Sequence, residues 1–187
     1  MLSKNQTSET SSEASPIADR FEAIYAGQFA FVWRNLRRLG VAPASLDDAT
    51  QDVFLVVHRR LAEVVDETLR PFLFGVVRRV AADHRRGATR REAAPLEQVG
   101  EPASGAPAPD RGLERAEAAR QVHVLLDRLD EAQREVFVLA ELEQMAAPEI
   151  AVALGVPLNT VYSRLRAARA AFEKQAARLV ARQGRAT

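Results

Sequence analysis

Apolar residues recur three and four positions apart along most of this chain, the spacing that gathers side chains on one face of an α-helix. Between 18 and 39 the series is Phe21, Ile24, Tyr25, Phe29, Val32, Trp33 and Leu36, which predicts a first helix with one inward stripe. Gly40 and Pro43 interrupt it. Ser45 is placed to cap a second helix, and Asp47 and Asp48 suit its positive start. That helix is expected to reach residue 65, with Ala49, Val53, Val56, Val57 and Leu61 on one side. After VDETLRP a third helix is predicted through FLFGVVRRVAADHRR, residues 72–86. Its inward stripe is Phe72, Val76 and Val80 with Leu73 and Val77. Arg78, Arg79, Asp83, Arg85 and Arg86 are expected to face outward.

The pattern then lapses. Residues 87–112 hold four Pro and four Gly and no aromatic residue, too little apolar surface to bury. It resumes over 113–129, breaks at Asp130, and continues through EAQREVFVLAELE. Pro148 is tolerable only in the first turn of a helix, so a new helix starts near Ala147. EIAVAL stops at Gly155, and a last helix begins between Pro157 and Asn159 and continues toward Val180. No period-two alternation and no repeat is present. The prediction is an all-α chain of two small helical domains joined by a flexible linker. Its parts are a disordered tail (1–17), a helical domain (18–86), the linker (87–112) and a helix-turn-helix domain (113–187).

The helix-turn-helix lies in EIAVALGVPLNTVYSRLRAAR. A short helix carries Ile150, Ala151 and Leu154; Gly155 allows the turn; Val156 plugs the corner. Val161, Leu165, Ala168 and Phe172 form the buried stripe of the second helix. The opposite side presents Asn159, Thr160, Tyr162, Ser163, Arg166 and Arg169. A helix of this width fits the major groove of B-DNA, with its first turns at base edges and arginines at phosphates or guanine.

Composition narrows the class. The 187 residues are 47% hydrophobic and 27% charged, enough for a packed core. There is no cysteine, hence no disulfide and no thiolate metal site. No apolar run is long enough to span a bilayer, and the Ser/Thr-rich start lacks the apolar core of a signal peptide, so a cytoplasmic protein with no membrane insertion is expected. Net charge is +1, but it is unevenly placed. Residues 158–187 carry seven Lys/Arg against one Glu, and 78–91 carry six Arg against one Asp. Residues 113–149 carry nine acids against four Arg. Two basic patches flank an acidic stretch. His58, His84 and His123 are scattered, and neither a nucleophile elbow nor a Gly-rich phosphate loop is present, so neither catalysis nor a cofactor is expected.

Three segments together resemble one family, the extracytoplasmic-function sigma factors of bacterial RNA polymerase. DDATQDVFLVVHRRL (47–61) resembles its core-polymerase-binding pattern, commonly E-D-L-T-Q-E-V-F. PFLFGVVRRVAADHRR (71–86) resembles its −10 element segment. LDRLDEAQREVFVLAELEQMAAPEIAVALGVPLNTVYSRLRAAR (126–169) resembles sigma region 4. The chain departs from the family at several points: Phe72 stands for a Trp, Arg79 for an Asn, Asn159 for a Gly, and Met145 to Pro148 for L-S-Y-E.

The resemblance implies a role for each segment. Asp48, Gln51, Asp52 and Phe54 bind core polymerase at the beta-prime clamp. Phe72, Arg78, Arg79, Asp83, Arg85 and Arg86 read the −10 element, where a base is flipped into a pocket. Asn159, Thr160, Tyr162, Ser163, Arg164, Arg166 and Arg169 read the −35 element. Other implied partners are the beta flap of core RNA polymerase, promoter DNA and an anti-sigma factor, and the free chain is implied to be a monomer. The competing reading is a helix-turn-helix regulator that binds DNA without polymerase; it leaves DATQDVF and residues 71–86 without a task.

Overall fold

The computed structural model describes residues 16–92 and 110–183. The predicted tail (1–15), the middle of the predicted linker (93–109) and residues 184–187 lie outside the described residues. The described residues form helices and turns with no strand. Helix α1 is Pro16–Arg38, α2 Leu46–Arg59 and α3 Leu69–Glu92, followed by α4 Asp110–Leu126, α5 Glu131–Phe137, α6 Ala147–Leu154 and α7 Leu158–Gln183.

Gly40 ends the first helix with φ +87°, where a side chain is strained, and Val41 N–H reaches back to Leu36 O at 3.1 Å. Ser45 stands at the N-cap position of α2. It closes a single 3-10 turn, Pro43–Ser45, and its side chain makes no cap hydrogen bond. Helix α2 also ends six residues earlier than expected, at Arg59. Two 3-10 turns, Leu61–Glu63 and Asp66–Thr68, carry the chain to α3. Both ends of the predicted linker are helical, because α3 runs to Glu92 and α4 starts at Asp110.

The second half follows its local signals more closely. Asp130 caps α5, its carboxylate accepting from Gln133 N–H at 2.8 Å. One turn of π-helix, Val138–Leu142, follows α5. Helix α6 begins at Ala147, and Glu149 supplies half of a capping box by accepting from Ala146 N–H at 2.9 Å. Gly155 takes φ +65°, the left-handed stop expected of it.

Helix α3 packs against α1 and α2 on one side and against α6 on the other, while α7 packs against α4, α5 and α6. The two helical domains therefore share one contiguous core. Leu36, Val53, Leu73, Phe74 and Val77 of the first half and Leu126, Val136, Leu139, Ile150 and Val161 of the second belong to the same buried cluster. The sequence put Phe72 and Val80 on the inward stripe of α3; both are only half-buried, and Phe74 and Ala81 fill the core instead. Among the described residues no helix is long and apolar enough to cross a membrane.

Candidate nucleic-acid interface

Helix α7 is the second helix of the helix-turn-helix. Its buried stripe is the predicted one: Val161, Leu165 and Ala168 lie in the core, and Phe172 stacks on Phe137 with ring centroids 4.5 Å apart. That fixes the outward face. Asn159, Ser163 and Arg166 are exposed, and Tyr162 is 56% exposed, high for an aromatic ring. From Asn159 to Arg166 is about 10 Å of helix at 1.5 Å per residue, within the reach of one major groove. Thr160 and Arg164 are half-buried. Ser163 Oγ donates to Thr160 O at 3.0 Å, and Arg169 is paired with Glu141 at 2.7 Å. Among the described residues no ion pair engages Arg166.

Of the residues predicted on the outward face of α3, Arg79, Asp83 and Arg86 are exposed, and Arg86 pairs with Asp83 on the same helix. Arg78 and Arg85 are not turned to solvent. Arg78 donates to Glu135 of α5 at 3.4 Å. Arg85 donates to Leu39 O and to Glu131 of α5. The expected all-outward face is thus corrected: the second half covers two of its arginines. Arg78, Arg79, Asp83 and Arg86 line one cleft with Glu131, Glu135 and Arg164 of the second half. Phe72 sits half-buried beneath the Arg60 guanidinium, 5.2 Å above its ring, a cation–π contact.

On α2, Asp48 and Gln51 are exposed on one face, three residues apart. Asp52 is exposed but engaged, its Oδ2 lying 2.9 Å from His84 Nε2 of α3. Phe54 is buried and forms the floor of an apolar groove between α1 and α2. Tyr25 and Phe29, read from spacing as inward, are 42% and 38% exposed and form its wall. Tyr25 lies 4.5 Å from the Phe54 ring, and Phe29 stacks parallel to it at 6.4 Å. Leu55 and His58 close the far side, and Gln51 and Asp47 stand at the rim. The signal for this groove was present: α1 carries more large apolar residues than one stripe holds, and the core takes Phe31 as well. An exposed aromatic patch of this kind marks a contact surface.

Two carboxylates are buried where the halves meet. Glu143, with a side chain only 2% exposed, accepts from Arg34 Nε and Nη2 at 2.8 and 2.7 Å, a bidentate pair, and also from Arg38. Burial pushes its pKa up, but the two guanidiniums outweigh burial and hold it below the ordinary glutamate value. Glu135 has the longer Arg78 contact, and burial raises its pKa.

Residues 29–91 match the family description Sigma-70 region 2, and residues 119–172 match Sigma-70, region 4. RNA polymerase sigma factor NccH of Alcaligenes xylosoxydans xylosoxydans is 33% identical over 139 residues, 72% of this chain and 74% of that protein. Among solved structures, CnrH in complex with the cytosolic domain of CnrY covers 87% of this chain and 90% of that one, with TM-score 0.65 and 26% identity. The Bartonella quintana sigma factor RpoE in complex with the anti-sigma factor NepR shares the fold at TM-score 0.62, over 83% of this chain and 96% of that one, with 17% identity.

Proposed function

The chain belongs to the sigma-70 family, in its extracytoplasmic-function group, and is a polymerase-associated initiation factor that directs RNA polymerase to promoters; from that premise we propose how its surfaces divide the work. The aromatic groove between α1 and α2, with Asp48 and Gln51 beside it, docks on the clamp of the beta-prime subunit. Apolar rings anchor a partner helix, and the rim carboxylates and amide meet its basic residues. Asp52 holds α2 to α3 through His84 and supports that surface from behind. The second half rests on the beta flap.

Two surfaces are assigned to promoter DNA. Asn159, Tyr162, Ser163 and Arg166 enter the major groove at the −35 element, with Thr160, Arg164 and Arg169 at its edges. On α3, Arg79, Arg86 and, once released, Arg78 and Arg85 track the backbone of the melted −10 strand. Phe72 and Asp83 lie at the base-holding end of that surface. The observation that carries the reading is the exposed polar and arginine face of α7, set by a buried stripe that leaves no other side free. This is a binding factor; its family consists of non-catalytic initiation factors. It acts where the polymerase is, in the cytoplasm, as a monomer until it docks. RpoE is held by an anti-sigma factor, and we extend a partner of that class to this chain.

The test is a filtration assay of the purified chain with core RNA polymerase at moderate salt. Co-elution that Gln51→Ala weakens and Arg166→Ala leaves intact supports the division of labour. Equal loss with both substitutions refutes it.

A further inference from the structure

The face of α7 assigned above to the −35 element is narrower in the fold than in the sequence. Ser163 donates its hydroxyl proton to Thr160 O at 3.0 Å, within the helix. Arg169 is held by Glu141 at 2.7 Å, and Thr160 and Arg164 are half-buried. Asn159, Tyr162 and Arg166 remain exposed, and among the described residues no ion pair, hydrogen bond or ring contact engages their side chains. They follow one another at intervals of three and four, so they share one strip of the helix.

Asparagine offers a paired donor and acceptor that match adenine, and arginine a donor fork that matches guanine. Tyr162 carries neither. Its ring is 56% exposed, and Leu158, one turn earlier on the same side, is 39% exposed. Together they form an apolar step on an otherwise polar face. In the major groove the base pairs present one apolar group, the C5-methyl of thymine. From Tyr162 to Arg166 is about 6 Å of helix at 1.5 Å per residue, or roughly two base-pair steps.

We propose that Tyr162 is a specificity-determining residue that reads thymine. Its ring, with Leu158 beside it, covers the C5-methyl of a thymine within about two base pairs of the guanine taken by Arg166. Base readout is then confined to Asn159, Tyr162 and Arg166, and Thr160, Ser163, Arg164 and Arg169 carry no base identity. This inference rests on the assignment of α7 to the −35 element. The rival occupant of the apolar step is a protein surface. Against it, Asn159 and Arg166 flank the ring, and a protein face pressed on Tyr162 would also bury the Arg166 guanidinium without a carboxylate of this chain to pair it.

The test uses the full chain with core RNA polymerase. The probes are genomic fragments that this complex retains, resynthesised as duplexes in which each thymine of the shared upstream element, on either strand, is replaced in turn by deoxyuridine. That exchange deletes the C5-methyl and keeps the base pair. At one position the wild-type complex is expected to bind about fourfold more weakly, the change one buried methyl group is worth. Tyr162→Phe keeps the ring and should keep that loss. Tyr162→Ala should bind both duplexes equally, and Arg166→Ala should still tell them apart, a coupling that a merely structural role for Tyr162 does not produce. An upstream element without thymine, a loss at no position, or a loss that persists in Tyr162→Ala overturns the proposal. So does a Tyr162→Ala chain that binds core polymerase less well and keeps the methyl preference, the result expected of a ring that faces protein. An upstream element that Arg166→Ala weakens, with no methyl preference anywhere, removes the thymine assignment alone. Retained fragments with no shared upstream element remove the assignment of α7 as well.

Discussion

Gly75 offers the most direct test of how the two halves meet. It lies within α3, and a Cβ built there would contact only the Ala153 carbonyl oxygen of α6, at 3.6 Å, an ordinary van der Waals distance. Alanine therefore fits without movement. Glycine inside a helix costs about 0.5–1 kcal/mol relative to alanine. Gly75→Ala is expected to stabilise the chain by that amount, or about 1–4 °C in Tm for a protein of this size. Leucine is different. Its Cγ and methyl groups have to occupy space held by the end of α6, and such overpacking costs about 1–3 kcal/mol. Gly75→Leu should then be less stable than Gly75→Ala by about that amount. Thermal and urea unfolding followed by far-UV circular dichroism measure both. If Gly75→Leu matches or exceeds Gly75→Ala, α3 and α6 are not in contact and the shared core is refuted. If Gly75→Ala destabilises, the free space opposite Gly75 does not exist.

Arg166→Ala should leave Tm and core-polymerase affinity unchanged, and should weaken holoenzyme binding to a duplex −35 element by about 1–3 kcal/mol, read by anisotropy across a salt series. Tyr25→Ala removes an exposed wall of the aromatic groove and should weaken core binding by about 2 kcal/mol, a hot-spot loss, with DNA binding by the free chain unaltered. The two buried glutamates respond to pH in opposite senses. Glu135, whose folded pKa is raised, binds protons more readily in the folded state, so acidification from neutral toward its ordinary value near 4.5 should increase stability. Glu143, held low, contributes stability above that ordinary value, and the contribution is lost as pH falls through its depressed folded pKa. Urea midpoints against pH should show the first effect disappear in Glu135→Gln, and an unaltered acid-side rise in that variant refutes the assignment.

Local signals carried the second half well. Asp130, Pro148 and Gly155 each mark a helix end through backbone chemistry that does not depend on the rest of the chain; Gly155 makes the left-handed stop expected of it, and the break at Asp130 turns out to be a side-chain cap. The stripe Val161, Leu165 and Ala168 was legible because one buried face at helical spacing admits a single solution. The first half was harder. Helix α1 has apolar residues on more than one face, so spacing did not separate the core residues Ile24, Phe31 and Val32 from the groove residues Tyr25 and Phe29. Ser45 stands at the cap position, but the preceding Pro43 winds a 3-10 turn that ends on it, and its side chain makes no cap hydrogen bond. Arg78 and Arg85 read as solvent-facing because nothing local shows that Glu131 and Glu135, more than 45 residues away, will cover them. The acidic stretch 113–149 was visible as a counterweight to two basic patches. That three of its glutamates meet the arginines of the first half is a tertiary fact.

Two weak DNA readers gain selectivity by acting on one polymerase. Core RNA polymerase supplied with this chain and fragmented genomic DNA, followed by mapping of transcript 5′ ends, measures it directly. The expected starts are preceded by two sequence elements at one fixed spacing and are lost in Arg166→Ala. Transcripts that begin without shared upstream elements, or elements whose spacing varies freely, would contradict it.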